Sequence, residues 1–224
     1  MKKVGLVVFL LLVLSSFSWA SWAGMPEIDR DDWVNICGDI DSAKAEMTIT
    51  SLINLDSKPE TSPIGIRIFS PGGSLTAIMA ICDVIRNLRR PVVTVALGEA
   101  ISGAAIILSW GNKRYIGEHT IVMLHQPAVV FENWSSSFDD FLQFSSALIK
   151  IENQMYHLLA ESTGKPEKQI RDTLKKETWF TAKEAIDFGL ADELLSKGGL
   201  RIKVKPLTKE KKKKGNLEPS QSIK

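Results

Sequence analysis

Cysteine and histidine, on which many metal-binding and redox proteins depend, are scarce in this sequence. Only two cysteines, Cys37 and Cys82, and three histidines occur among 224 residues. No Cys-x-x-Cys pair or Cys/His cluster with metal-ligand spacing is present, so no metal site is expected. We interpret both cysteines as small buried apolar residues, with a disulfide between them as the alternative.

A strong excess of charge of either sign is also lacking. The formal net charge is +2, which does not favour nucleic acid as a partner. Much of the positive excess lies near the C-terminus, in Lys209 and residues 211–214. We expect residues 201–224 to be a solvated, disordered tail after a single domain of residues 24–200. Contact of this tail with a membrane or an acidic partner is the alternative.

The apolar run of residues 4–14 is shorter than the roughly 20 residues that a membrane-spanning helix needs. It follows Lys2 and Lys3 and precedes small residues in the segment 18–23. This order is typical of a secretory signal peptide. We therefore predict that residues 1–23 are a cleaved signal and that the protein is periplasmic or secreted. An uncleaved N-terminal anchor and a cytoplasmic protein are the alternatives.

Apolar residues recur alternately at strand and helix spacing through the rest of the chain, which predicts an α/β fold with parallel strands. In the first helix, Ala45, Leu52 and Ile53 are expected to face the core, and the longest helix carries an apolar face that begins at Phe138 and Phe141. The predicted strands are residues 33–38, 64–69, 92–97, 115–116 and 120–124, and the predicted helices are residues 43–55, 75–88, 102–110, 138–163, 166–175 and 182–189.

Ser102 stands where the strand 92–97 gives way to a helix, in the run Gly-Glu-Ala-Ile-Ser-Gly-Ala of residues 98–104. The first turn of a helix has free N–H groups and the positive end of the helix dipole. A hydroxyl in this place is typical of the nucleophile of a serine hydrolase. An ordinary N-cap serine is the alternative, because the position favours serine for capping alone.

Two further segments contain residues that such a hydrolase needs. His125 closes a strand-like run twenty-three residues after Ser102 and is a candidate general base, with a structural histidine as the alternative. Gly72 and Gly73 follow Ser70-Pro71. They form either a simple turn or an oxyanion hole, because glycine lets a backbone N–H approach a tetrahedral intermediate.

The chain from about residue 33 to residue 195 resembles the proteolytic subunit of the Clp protease, a serine peptidase with a crotonase-like fold. The matching motifs are Ser70-Pro-Gly-Gly-Ser-Leu-Thr-Ala, Ile81-Cys-Asp-Val-Ile, Gly98-Glu-Ala-Ile-Ser-Gly, Met123-Leu-His-Gln-Pro, Thr163-Gly-Lys-Pro and Glu184-Ala followed by Gly189-Leu-Ala-Asp.

The resemblance implies a crotonase-like α/β fold with a protruding long helix. It implies a serine endopeptidase that cleaves unfolded proteins or short peptides without a cofactor. Ser102 is then the nucleophile, His125 the base, and the N–H groups of Gly73 and Gly103 form the oxyanion hole. A homo-oligomeric ring is expected, and an AAA+ unfoldase is a further partner that the family suggests.

The sequence departs from the family at the third member of the triad, which is normally an aspartate. Aligned without a gap, that position falls on Glu177, and Asp172 is the alternative. A glutamate also orients the histidine in some Ser-His-acid triads. Two other functions stay open: a catalytically impaired scaffold or ring subunit of the same fold, and a cytoplasmic subunit that works with an ATP-dependent unfoldase.

Overall fold

Apolar residues dominate the strands of the sheet around which the protein is built. The computed structural model describes residues 26–128, 137–196 and 202–203. Its strands are β1 (Ile28–Asp29), β2 (Trp33–Cys37), β3 (Ile64–Ser70), β4 (Val92–Ile101), β5 (Lys113–Ile116), β6 (Ile121–Leu124), β7 (Thr178–Phe180), β8 (Glu193–Leu194) and β9 (Ile202–Lys203), and its helices are α1 (Ser42–Asp56), α2 (Leu75–Asn87), α3 (Gly103–Ser109), α4 (Phe138–Thr163), α5 (Glu167–Leu174) and α6 (Ala182–Phe188).

Within the described ranges, seven strands form one sheet with β2, β3, β4, β5 and β8 side by side and parallel. The first half of β4 pairs with β5, whereas its second half pairs with β6. β7 extends the sheet antiparallel to β6. Strands β1 and β9 pair separately in parallel. The structure thus confirms the predicted α/β class with a mainly parallel sheet.

Strand β4 is longer than the sequence predicts. The prediction of a strand that ends at residue 97 was wrong, because β4 continues to Ile101. Gly98 has a φ of +77°, a conformation that glycine adopts without a steric penalty. It bends the strand instead of ending it. This bend lets β4 leave β5 and pair with β6, which directs the end of β4 to the candidate site.

The main core lies between one face of the sheet and helices α1 to α3, and a smaller cluster of Ile28, Val93, Val95 and Tyr115 covers part of the other face. Two burial predictions were wrong. Ile53 is exposed, and Thr48 and Leu55 are buried on α1 in addition to Ala45 and Leu52. Cys82 is buried as expected, but Cys37 is exposed at the end of β2. Neither cysteine forms a disulfide.

Helix α4 has the predicted bounds but not the predicted burial. Ser137 and Asp140 form a capping box at its start, and Gly164 ends it in the left-handed conformation. Only the second half is packed into the core, through Met155, Tyr156, Leu158 and Leu159. Phe138 and Phe141 in the first half are 74% and 44% exposed. The apolar face of the first half of α4 is therefore open in this single chain.

Several expectations concern parts of the chain that the structure does not describe. Residues 1–23 and nearly all of the basic tail lie outside the described residues. Among the helices that are described, none combines the length and the apolar character required to cross a bilayer.

A buried ion pair fixes the start of β4. The Arg90 guanidinium is fully buried and binds the Asp32 carboxylate and the carbonyl oxygens of Leu55 and Ser62. Lys58 donates a further hydrogen bond of 2.9 Å to Asp32. Burial alone would raise the pKa of Asp32, but the hydrogen bonds and charges of Lys58 and Arg90 outweigh it and lower the pKa below its usual value.

Replacing Arg90 should strongly destabilise the fold. Arg90→Met leaves the buried Asp32 carboxylate with the half-exposed Lys58 as its remaining cation, and loss of one partner of a buried pair costs about 3–5 kcal/mol. Lys183→Met, which removes an exposed ion pair with Asp187, is the matched control and should leave stability unchanged. Urea denaturation followed by circular dichroism measures both. Equal unfolding midpoints for the two variants would contradict the assigned role of Arg90.

Candidate active site

Ser102 lies at a sharp turn between β4 and α3. Its φ of +55° and ψ of −124° are unusual for a residue with a side chain, and among the described residues it alone combines a side chain with a positive φ. The Ser102 N–H donates a 2.7 Å hydrogen bond to the Met123 carbonyl of β6. Such strain persists only where the surroundings fix it, and it is typical of serine nucleophiles on strand-to-helix turns.

His125 is the first residue after β6 and lies directly at the Ser102 hydroxyl. Its Nε2 atom is 2.8 Å from Ser102 Oγ. The side chain of Ser102 makes no capping hydrogen bond to α3, so the structure does not support the N-cap alternative. With Nε2 unprotonated, the hydroxyl donates to the imidazole, which is the arrangement needed for proton transfer from serine to histidine.

Residues 70–73 form a turn that lies against Ser102. The Ser70 hydroxyl donates to the Gly38 carbonyl and accepts a hydrogen bond from the Gly72 N–H. A Cβ atom on Gly72 would lie 2.9 Å from Ser102 Cβ, which places the two turns in close contact. Ser70 thus fixes the turn, a role that the sequence analysis missed. The sequence feature that indicates this role is a serine directly before Pro-Gly-Gly, because a serine hydroxyl can bond the backbone two residues further along its own turn.

Two backbone N–H groups next to the Ser102 hydroxyl have no acceptor among the described residues. Gly73 N–H does not donate, although its neighbour Ser74 donates to the Ile40 carbonyl. Gly103 is the first residue of α3, where N–H groups have no partner within the helix. Both glycines line the same cleft as Ser102 and His125. Two free donors beside a nucleophile can bind the oxyanion of a tetrahedral intermediate.

The cleft at Ser102 has a volume of about 250 Å³. Ser74, Ser102 and His125 are its polar residues, and the remaining walls are glycine or apolar side chains. Such a cleft can hold a nonpolar side chain of a peptide next to the Ser102 hydroxyl. The apolar wall residues are Leu75, Ile78, Ile106, Leu124, Pro127, Ala128 and Met155.

The two candidate acids differ in their surroundings. Strands β6 and β7 are antiparallel and pair Leu124 with Thr178. If this register continued by one residue, Glu177, which precedes Thr178, would lie opposite His125. Its side chain is exposed and makes no hydrogen bond among the described residues. The structure therefore brings Ser102, His125, Gly73 and Gly103 together. Glu177 precedes the residue that pairs with Leu124, but its side chain forms no hydrogen bond to the imidazole.

Asp172 is engaged elsewhere. It accepts hydrogen bonds of 2.7 Å from Lys168 and from Lys175 on the exposed side of α5. The hydrogen bond from Lys168, together with the contacts from Lys175 and both positive charges, lowers the pKa of Asp172 to about 2. These contacts direct its carboxylate toward two lysines and not toward His125. The geometry therefore favours Glu177.

No group of three or more metal-binding side chains occurs in the part of the chain that is described. His119 and His157, the two histidines outside the site, are both exposed on the surface.

Comparison with known proteins identifies similar chains. The family model described as Clp protease matches residues 22–198. The "ATP-dependent Clp protease proteolytic subunit 4" of Rhodococcus jostii is 32% identical over 160 residues, which are 70% of this chain and 81% of that protein. Proteins with the name "ATP-dependent Clp protease proteolytic subunit 2" are 35% identical in Streptomyces avermitilis, over 71% of this chain and 80% of the relative, and 34% identical in Frankia casuarinae, over 70% and 71%.

Adding a methyl group at Gly72 should strongly lower the reactivity of Ser102. The Cβ atom of Gly72→Ala would lie 2.6 Å from the Ile101 carbonyl and 2.9 Å from Ser102 Cβ, so the turn must shift. A displacement of about 1 Å can lower the rate about 100-fold. The rate at which a fluorophosphonate labels Ser102 measures the effect.

Gly164→Ala is the matched control for this substitution. Gly164 also has a positive φ, but no atom lies within 4 Å of its added Cβ. Gly164→Ala should therefore keep the labelling rate of Ser102 although it introduces the same type of backbone strain. Equal labelling of both variants would show that close contact between the two turns does not position Ser102.

Proposed function

Because the chain belongs to the Clp protease family and is a serine endopeptidase of the proteolytic-subunit type, we propose that Ser102 is its nucleophile. The observation that carries this assignment is the 2.8 Å contact between Ser102 Oγ and His125 Nε2, beside two N–H groups that have no acceptor within residues 26–128 and 137–196. A hydroxyl with an adjacent base and an oxyanion hole is the minimal apparatus for acyl transfer.

The reaction follows from this geometry. Ser102 Oγ attacks the carbonyl carbon of a peptide bond while His125 Nε2 takes the hydroxyl proton. The N–H groups of Gly73 and Gly103 donate to the resulting oxyanion. When the tetrahedral intermediate collapses, His125 gives its proton to the leaving amine, and an acyl-enzyme ester remains on Ser102. A water molecule then gives a proton to His125 and attacks the ester carbonyl. When this second intermediate collapses, the bond to Ser102 Oγ breaks, the carboxylic acid product leaves, and His125 returns the proton to Ser102.

We assign the third position of the triad to Glu177. The register of β6 and β7 supports it, because position 177 would oppose His125 one step beyond the Leu124–Thr178 pair. A bond from the carboxylate to His125 Nδ1 would hold the imidazole in the tautomer that leaves Nε2 free to accept a proton. The longer side chain of glutamate has to rotate toward the ring, and catalytic hydrogen bonds of this kind often tighten only with substrate bound.

We also propose an oligomeric state and a cellular location for the protein. We propose a homo-oligomeric ring, supported by the exposed apolar residues of α4, among them Phe138, Phe141 and Leu142.

We further propose that the protein is exported and cleaves unfolded proteins or short peptides without an ATP-driven partner, supported by the signal-like residues 1–23. Soluble protein from the native host that retains Met1 would contradict export, and monomers in light scattering would contradict the ring.

The proposed triad predicts a graded loss of activity. Ser102→Ala should abolish fluorophosphonate labelling and peptide hydrolysis. Glu177→Gln should lower kcat by up to about 10⁴-fold, because a triad that lacks its acid holds the wrong tautomer. Glu177→Asp should retain more activity than Glu177→Gln because it keeps a carboxylate. Labelling and hydrolysis of a fluorogenic peptide measure the series.

Asp172→Asn is the matched control, since Asp172 is the other candidate acid and is paired with lysines. Its activity should equal that of the unaltered protein. If Asp172→Asn is the impaired variant instead, the acid is misassigned. Folded, oligomeric protein in which Ser102 is never labelled would favour a scaffold without catalysis.

A further inference from the structure

Gln126, the residue directly after His125, forms hydrogen bonds with two side chains of α4. Its Nε2 atom donates to Tyr156 Oη at 3.1 Å and to Glu152 Oε1 at 3.3 Å. The Tyr156 hydroxyl donates to the same Glu152 oxygen at 2.6 Å. Two donors thus converge on one carboxylate, and the three side chains form a closed cluster. We call these three residues the Gln126 cluster.

The backbone that carries His125 has little other support. The ladder between β4 and β6 ends at Met123, and the ladder between β6 and β7 ends at Leu124. His125 therefore lies just beyond the last paired residue of β6. Its imidazole makes one hydrogen bond in the described part of the chain, the one to Ser102. The direction in which the chain leaves β6 consequently depends on side-chain contacts, and Gln126 makes the first of them.

Tyr156 also links the cluster to α5, the helix before Glu177. Its ring is buried, and the Arg171 guanidinium lies 4.2 Å from the ring centroid. Arg171 is itself held by Glu167 at 2.9 Å and by Asn153 at 3.0 Å. A cation in this position over an aromatic ring is attracted by the electrons of its face. One tyrosine therefore contacts both the segment that carries the candidate base and the helix that precedes the candidate acid.

The hydroxyl of Tyr156 is kept in its donor form. Burial raises its pKa, and the hydrogen bond to the Glu152 carboxylate raises it further. The phenol therefore stays protonated throughout the pH range in which a histidine acts as base. Tyr156 consequently remains a donor to Glu152 while His125 accepts and returns the proton of Ser102.

We propose that the Gln126 cluster positions His125 for catalysis and that Tyr156 is its central positioning residue. This inference rests on the proposed role of His125 as general base. None of the three side chains needs to touch the substrate. The cluster acts through the backbone of residues 125 and 126, which it fixes to α4, so that Nε2 stays at hydrogen-bond distance from Ser102 Oγ.

The test uses the full-length protein and five single variants, one of which is a control. Gln126→Ala removes both hydrogen bonds from the exposed glutamine, whereas Tyr156→Phe removes only the hydroxyl and keeps the ring under Arg171. Glu152→Gln keeps an oxygen that can accept from both donors, and Glu152→Ala removes it. Glu161→Ala is the matched control, because Glu161 is also on α4 and also forms a side-chain pair, with Arg86.

We expect a loss in kcat without a loss in binding. Gln126→Ala should lower kcat and the labelling rate of Ser102 about tenfold, since small displacements of a catalytic group have effects of at least this size. KM for a short peptide should stay within about twofold, because the interaction acts only on the chemical step. Glu152→Ala should be impaired, and Glu152→Gln should recover most of the activity. Glu161→Ala should match the unaltered protein.

The double variant tests the coupling directly. Combining Gln126→Ala with Tyr156→Phe should lower kcat no further than Gln126→Ala alone, because both act through the same hydrogen bonds. Additive losses, or unchanged kcat in Gln126→Ala, would overturn the inference. If Tyr156→Phe fails to fold, the kcat values of Gln126→Ala, Glu152→Ala and Glu152→Gln test the inference without it.

Failure of the proposed function gives a different result. In that case Ser102 of the unaltered, folded protein is not labelled, and both proposals fall together. If the unaltered protein is labelled and Gln126→Ala is labelled at the same rate, only the positioning role is wrong.

Discussion

The hydrogen bond from the Ser102 N–H to the Met123 carbonyl is the contact on which the geometry of the site depends. At 2.7 Å it joins the turn after β4 to strand β6, in line with the Ile101–Met123 register of the two strands. His125 is two residues beyond Met123 and directly follows the last residue of β6. This register therefore brings the end of β6, and with it the imidazole of the next residue, to the serine hydroxyl. A register shift of a single residue would remove it.

The unusual conformation of Ser102 has to be stabilised by its surroundings. A strained backbone of this kind costs about 1–3 kcal/mol. All seven residues of α3 are buried, so the helix that follows Ser102 cannot shift to relieve the strain. Arg114 holds the far end of α3 in place. Its guanidinium donates to the Ser109 carbonyl of α3, to Ser162 near the end of α4 and to Gly189 after α6, where a cation also interacts favourably with the helix dipoles.

The sequence allowed much of this arrangement to be predicted, for identifiable reasons. The regular apolar spacing of α2 and α4 gives their bounds almost without error, and Ser102, His125 and the glycine turn stand at predicted ends of strands, where side chains meet at one edge of a parallel sheet. Ile53 was misplaced because an apolar residue is not obliged to be buried. The continuation of β4 depends on a bend at Gly98, and glycine is read equally well as the end of a strand.

What could not be predicted is the part of the site that depends on side chains instead of backbone. Register and turns fix Ser102, Gly73 and Gly103, because each is held by backbone hydrogen bonds or close backbone contacts. Glu177 has no such constraint, since its long side chain extends from an exposed position and many rotamers are open to it. The same is true of Gln126, whose partners are 26 and 30 residues away along the chain. Spacing within a sequence does not reveal a contact of that kind, because it arises only after α4 has packed onto the rest of the fold. The reactivity proposed for Ser102 therefore depends on a backbone framework that local sequence patterns specify and on side-chain contacts that only the assembled fold creates.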